Sequence, residues 1–233
     1  MSALLLGVAV ALPTVAAAQT TPGPPTDAES WTATVLLPVP GRAAPSPRAR
    51  RVAQIMHFTA FSRRQNTLMV TGAEYAPNGR LRWVRVQLPK RPNGSSAWLP
   101  ASSVRLNRLT TSLRVRLSAR TVEVVKNGRV VKRYKAAVGT GSTPTPRGLF
   151  AVQDPVVSSA SQRSYLGPYI ITLTAFSPVL RTFMGGNGLV AIHGTSAPQL
   201  LGQAVSHGCV RVANDTATRI WRVAKPGMPV RIM

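Results

Sequence analysis

His193-Gly194-Thr195-Ser196-Ala197-Pro198-Gln199-Leu200-Leu201-Gly202-Gln203-Ala204-Val205-Ser206-His207-Gly208-Cys209-Val210-Arg211-Val212-Ala213-Asn214 holds the chain's only cysteine and two of its three histidines. A thiol becomes a nucleophile when a base removes its proton, and imidazole is the usual base near neutral pH. The apolar run Leu189–Ile192 just upstream predicts a strand, with His193 at its end, fixed by a sheet yet open to a cleft. Ser196 before Ala197-Pro198 predicts an N-capped short helix to about Ala204, which would fold the chain back and bring Cys209 beside His193. Proton transfer would then leave a thiolate–imidazolium pair and a lowered cysteine pKa.

Gly208 lets the backbone turn sharply, so that N–H groups near Cys209 aim at one point and stabilise an oxyanion. Val210 and Val212 alternate with Arg211, which predicts a strand, and Arg211 is suited to a bidentate grip on a carboxylate. No aspartate is well placed to orient His193, since Asp154 is distant and Asp215 sits at a helix start, which leaves the Gly194 carbonyl as the local choice. Two histidines and a cysteine are also legitimate zinc ligands. With only 6 acidic residues in the chain a fuller metal shell is scarce, so neither metal nor other cofactor is expected. Taken alone, a single cysteine is more often a buried small hydrophobe than a nucleophile.

Upstream, Thr121–Val125 and Arg129–Tyr134 flank Asn127-Gly128, whose tolerance of positive φ predicts a tight hairpin. Leu113, Val115 and Leu117 alternate before it, and Ala136-Ala137-Val138 runs into Gly139-Thr140-Gly141-Ser142-Thr143-Pro144-Thr145-Pro146-Arg147-Gly148-Leu149-Phe150. These glycines lack the Lys-Ser/Thr ending of a phosphate loop, so nucleotide binding is rejected. Further strands are expected at Leu149–Gln153, Ile170–Thr174 and Met228–Met233. Asn214 reads as the cap of a helix over Asp215–Ala224, with Ala217, Ile220, Trp221 and Ala224 on its apolar face and Pro226-Gly227 ending it. Residues 111–233 thus read as one mainly β domain with two short helices.

The polar stretch 107–112 marks a boundary. Before it, from 52 to 108, short apolar or alternating runs follow Asn78-Gly79 and Asn93-Gly94, predicting a small antiparallel barrel or meander. His57 stands alone there and reads as structural or exposed. Residues 19–51 are rich in Pro, Thr and Arg and read as a linker and long loop, with a strand at Trp31–Leu37. Residues 1–18, apolar and ending in Ala16-Ala17-Ala18, read as a secretory signal although no Lys or Arg precedes the apolar core. In an exported chain a lone cysteine has no internal partner and stays a free thiol.

The chain carries 29 Lys and Arg against 6 Asp and Glu, a formal charge of +23, spread over both halves. Such a surface attracts polyanions, among them anionic cell-wall polymers. No zinc-finger spacing or basic region with heptads accompanies the charge, so nucleic acid is not expected as a partner.

His193-Gly194-Thr195 followed by Ser206-His207-Gly208-Cys209-Val210-Arg211-Val212-Ala213-Asn214 resembles the signature of the YkuD-type L,D-transpeptidases, and Thr140-Gly141 to Phe150 resembles that family's upstream motif. The resemblance spans about 111–233 and reverses the default reading of Cys209. It implies a β-rich catalytic fold without cofactor, in which Cys209 attacks a peptidoglycan stem tetrapeptide, D-alanine leaves, and a diamino-acid amine resolves the thioester to form a cross-link. Water in place of the amine would make the same site an L,D-carboxypeptidase. By position, Cys209 is the nucleophile, His193 the base and Gly194 its orienter. His207, Gly208 and Cys209 would supply oxyanion N–H groups, with Ser206 supporting the motif and Arg211 and Asn214 at the substrate. Val212 departs from the Met or Leu usual in the family after the motif arginine. Residues 82–106, with Trp83 and the run Ala97-Trp98-Leu99-Pro100, resemble the end of a bacterial Src-homology-3-like domain, a module that attaches wall enzymes to peptidoglycan.

An exported enzyme of periplasm or cell wall, peripheral to or outside the membrane, is the expectation. A papain-like wall peptidase also pairs cysteine with histidine, but its cysteine precedes its histidine, and no histidine follows Cys209 here. A non-catalytic basic wall-binding protein is the other alternative, for which Cys209 would be dispensable.

Overall fold

A computed structural model describes residues 21–233; the secretory signal expected over 1–18 lies outside the described residues. Two β units follow one another. The first comprises β1 (Ser30–Val35), β2 (Val39–Arg42), β3 (Arg51–Ile55), β4 (Thr67–Tyr75), β5 (Leu81–Gln87), β6 (Ser96–Pro100) and β7 (Val104–Leu109), in a seven-stranded sheet of order β3-β2-β6-β5-β4-β1-β7. The expected boundary at 52 is therefore corrected. β1 pairs with both β4 and β7, and Ala33, Val35 and Val39 belong to the same buried cluster as Val70, Val84 and Leu99. Proline density suggested a loop over 38–51, but Pro40 lies in β2, paired with Gln54 of β3.

The second unit comprises β8 (Thr111–Arg116), β9 (Thr121–Lys126), β10 (Arg129–Gly139), β11 (Gly148–Val157), β12 (Tyr169–Phe176), β13 (Leu189–His193), β14 (Ala204–Ser206), β15 (Val210–Val212) and β16 (Pro229–Ile232), with helices α1 (Ala160–Leu166) and α2 (Asn214–Val223). Its nine strands run β14-β10-β15-β13-β12-β11-β16-β8-β9, and β9 also pairs with β10. Asn127 (φ 49°) and Gly128 (φ 78°) make the tight β9–β10 turn that their sequence predicts. β12 is buried along nearly its whole length, so it reads as an apolar run rather than an alternating one. Its buried threonines are satisfied: Thr172 Oγ1 donates to the Asp154 carbonyl at 2.9 Å, and Thr174 Oγ1 accepts the Ala151 N–H at 2.9 Å.

α2 buries Ala217 and Ile220 against this sheet, and Trp221 stacks on Tyr169 with ring centroids 4.4 Å apart. One helix expectation is corrected, and one helix was not expected. Between Ser196 and Ala204 there is only a 3-10 turn at Pro198–Leu200, and Ala204 already begins β14, whose pairing with β10 supplies the backbone bonds a helix would have made. The second helix is α1, opened by a capping box in which Ser159 Oγ accepts the Gln162 N–H and Gln162 reaches back to the Ser159 N–H. That Ser-x-x-Gln signal was present in the sequence but lacks an apolar stripe, and α1 buries no residue.

The two units are tied by polar contacts at buried points. Asp154, fully buried, accepts the Ser62 N–H at 2.9 Å and the Ser62 hydroxyl at 2.6 Å. Gln87 Nε2 donates to the Leu149 carbonyl at 2.8 Å, and its Oε1 accepts Thr174 Oγ1 at 2.6 Å. Among the described residues no helix is long and apolar enough to cross a membrane.

Candidate active site

Strand register brings Cys209 and His193 to the same part of the sheet. β13 and β15 run parallel with Ile192 opposite Val210 and His193 opposite Arg211, which brings Cys209 level with Ala191, two residues before His193 on the neighbouring strand. The fold-back is thus made by β14 and the 3-10 turn rather than by a capped helix.

His193 is buried, and its Nδ1 lies 2.6 Å from the Gly194 carbonyl oxygen. A proton on Nδ1 donated to that carbonyl leaves Nε2 as the acceptor nitrogen, so a backbone group occupies the place where a carboxylate often orients the imidazole. Gly194 is glycine for want of space: a Cβ there would collide with Asn214 Oδ1 and come within 2.9 Å of the Gly167 Cα. Asn214 Oδ1 accepts the Thr195 N–H at 2.9 Å. Asn214 thereby braces the His193-Gly194-Thr195 turn, and its expected role as helix cap is corrected: the cap position of α2 falls on Ala213 without a side-chain bond.

The turn before Cys209 is held by Ser206. This buried hydroxyl donates to the Cys209 carbonyl at 2.5 Å and accepts the Gly208 N–H at 3.1 Å. The expectation that Gly208 supplies an oxyanion donor is corrected, because its N–H is already engaged. The N–H groups of His207 and Cys209 carry no such bond among the described residues. Gly208 has φ 115°, a conformation that a β-carbon would strain.

The upstream motif supports this turn from outside. The Ser206 carbonyl accepts the Thr140 N–H and the Thr143 hydroxyl, both at 3.1 Å, while Thr145 Oγ1 accepts the Gly139 N–H at 2.9 Å. Beside the same loop lies a groove of about 620 Å³ with Arg120 and Arg147 on its walls.

Burial disfavours the charged form of both groups, which weighs against the expected thiolate–imidazolium pair. Burial raises the Cys209 pKa, with the Ala191 N–H and the Arg211 charge pulling it down only in part. Burial also depresses His193 to about 4, the Gly194 carbonyl opposing this and Arg211 adding to it. Desolvation penalises both charged forms. The Arg211 guanidinium has no ion pair among the described residues. No three His, Cys, Asp or Glu side chains gather among those residues.

Two features were not read from the sequence. The Ala191 N–H beside the thiol follows from parallel register alone. Phe183, in the segment joining β12 to β13, stacks on His207 with centroids 4.7 Å apart and 29° between planes.

A free thiol at Cys209 and a buried imidazole at His193 thus lie on neighbouring segments of a mainly β sheet. Residues 110–232, just over half of the chain, match the YkuD family, the L,D-transpeptidase catalytic domain, and the chain belongs to that family. It is 32% identical over 118 residues to the YkuD protein of Bacillus licheniformis, a match covering 51% of this chain and 62% of that protein. It is 24% identical to L,D-transpeptidase 1 of Mycobacterium tuberculosis over 85% of this chain and 87% of that one. A solved L,D-transpeptidase from Mycobacterium tuberculosis is similar with a TM-score of 0.46 and 15% identity, over 72% of this chain and 90% of that one.

Proposed function

We propose that the protein is an exported peptidoglycan L,D-transpeptidase of the periplasm or cell wall, acting through a thioester on Cys209. Supporting this reading above all is the placement of Cys209 level with Ala191, two residues before His193 on the neighbouring strand, with the His193 Nδ1 fixed by the Gly194 carbonyl. The thiol sulfur attacks the carbonyl carbon between the third residue of a stem tetrapeptide and its terminal D-alanine. His193 Nε2 takes the thiol proton during attack rather than before it, since burial disfavours the charged form of both groups. The oxyanion is received by the N–H groups of His207 and Cys209. The C–N bond breaks, the proton passes from His193 to the leaving nitrogen, and D-alanine departs. The side-chain amine of a second stem then attacks the thioester, His193 Nε2 takes its proton, and as the C–S bond breaks that proton passes to the sulfur and restores the thiol. Arg211, unpaired at the site, is suited to a substrate carboxylate. The N-terminal seven-stranded unit is read as an Src-homology-3-like wall-attachment module, and the charge of +23 suits anionic wall polymers.

The test is mass spectrometry of the products formed by the purified protein from disaccharide-tetrapeptides. Dimers lacking one D-alanine are expected. Tripeptide alone would make the enzyme an L,D-carboxypeptidase, and full turnover by Cys209→Ala would remove the mechanism in favour of a non-catalytic wall-binding role.

A further inference from the structure

The N-terminal unit reaches the segment that joins β12 to β13 through Arg91 and Asn93. Arg91, in the loop between β5 and β6, donates from Nη1 to the Ser177 carbonyl at 2.7 Å and from Nη2 to the carbonyls of Leu180 at 2.9 Å and Asn187 at 3.3 Å. Its Cζ lies 4.9 Å from the centre of the Phe176 ring. Asn93 adds a strand-like pair of bonds, donating to the Phe176 carbonyl at 2.8 Å and accepting the Phe176 N–H at 2.9 Å.

The three carbonyls lie near both ends of the segment that joins β12 to β13. Ser177 N–H closes that segment on the Gly188 carbonyl at 2.8 Å, and Gly188 leaves the guanidinium its room, since a Cβ there would stand 2.8 Å from Arg91 Nη2. At the tip, Phe183 and Gly186 exchange backbone bonds of 3.0 and 2.8 Å around Met184 (φ 48°) and Gly185 (φ 77°), a tight turn that fixes the direction of Phe183. The Phe183 ring stacks on His207, which precedes Cys209 by two residues. A planar guanidinium can serve several carbonyls at fixed angles and lie on an aromatic ring at once, whereas an ammonium acts as a point charge.

We propose that Arg91 is a positioning residue for the Cys209 site: by cinching the 177–188 segment it holds Phe183 against His207, so that the N-terminal unit sets one wall of the cleft. The proposal rests on the reading of Cys209 as the nucleophile. The N-terminal unit then contributes to substrate fit in the second unit, in addition to any attachment role.

Four full-length variants decide it: Arg91→Ala, Arg91→Lys, Phe183→Ala and the double Arg91→Ala/Phe183→Ala. Hydrogen exchange of residues 178–187 is expected to quicken by about tenfold or more in Arg91→Ala, with β12 and β13 unchanged. Alkylation of Cys209 by iodoacetamide should rise about threefold in each single variant and no further in the double, because both act through one contact. With tetrapeptide, KM should rise more than kcat falls, and Arg91→Lys should recover only part of the loss. Unchanged exchange in Arg91→Ala, or effects of the two single variants that add in full, would overturn the proposal. If no tetrapeptide is turned over by the unaltered protein, the assigned reaction falls, while exchange and alkylation still decide the role of Arg91.

Discussion

His193 Nδ1 is held by the carbonyl of the very next residue, Gly194, at 2.6 Å. The orienter and the base therefore move as one piece of backbone, braced by the bond from Thr195 N–H to Asn214 Oδ1. No carboxylate contributes charge to stabilise an imidazolium, which agrees with the depressed pKa of His193.

The first consequence concerns pH. His193 at about 4 is neutral, and so competent as a base, well below its usual 6.5. The acid limb of Cys209 acylation should fall near pH 4, followed by the rate of thioester or β-lactam adduct formation between pH 3.5 and 8; an acid limb at 6.5 would contradict the burial argument. Because the folded pKa is lowered, the unfolded chain binds the extra proton between the two values. Stability from this group is full above 6.5 and declines as pH falls toward 4, by up to about 3 kcal/mol. Tm measured across that window should drop less in His193→Ala than in the unaltered protein.

The thiol should titrate late. Burial raises Cys209, so iodoacetamide alkylation is expected to climb through an inflection above 9. An inflection below 8 would mean that a thiolate–imidazolium pair exists at rest after all.

Gly194→Ala places a methyl group against Asn214 Oδ1 and the Gly167 Cα. The turn that carries His193 must shift, at a cost of about 1–3 kcal/mol, and turnover should fall with it. Calorimetry together with product assay checks this; a variant with native Tm and native turnover would show that the close approach is dispensable.

Ser206→Ala removes the donor to the Cys209 carbonyl and the acceptor for the Gly208 N–H. Leaving these buried groups unpaired should cost about 1–3 kcal/mol, and the loosened turn should lower kcat more than it raises KM. Ser206→Thr retains the hydroxyl and should recover part of kcat if the hydrogen bonds matter.

The family resemblance carries a further expectation: carbapenem β-lactams acylate the same thiol. Intact-mass spectrometry should show one adduct on the unaltered protein and none on Cys209→Ala. An adduct that survives in Cys209→Ala would move the nucleophile elsewhere.

Much of this was legible in the chain because it depends on local chemistry. Asn127-Gly128 announces its turn because few residues tolerate two successive positive φ angles, and Ala217, Ile220 and Ala224 reveal the buried face of α2 by spacing alone. The lone cysteine, the histidine before it and the glycine at φ 115° could be named without coordinates. Errors fell where pairing partners outvote local preference. Ser196-Ala197-Pro198 reads as a helix start, yet Ala204–Ser206 finds β10 as a partner and the chain is claimed by the sheet. The same holds for residues 39–42, within the proline-dotted stretch 38–51, which β3 and β6 pair with on either side.

The sequence by itself determined which groups can react, where the backbone must turn, and the two runs of strands. Tertiary structure alone decided the charge state of the pair, the use of the Gly208 N–H by Ser206, the bracing role of Asn214 and the contact of Arg91 with the 177–188 segment. The reason is physical: residue type and spacing fix covalent chemistry and short-range geometry. Desolvation and hydrogen-bond partnership depend on what the rest of the fold brings alongside.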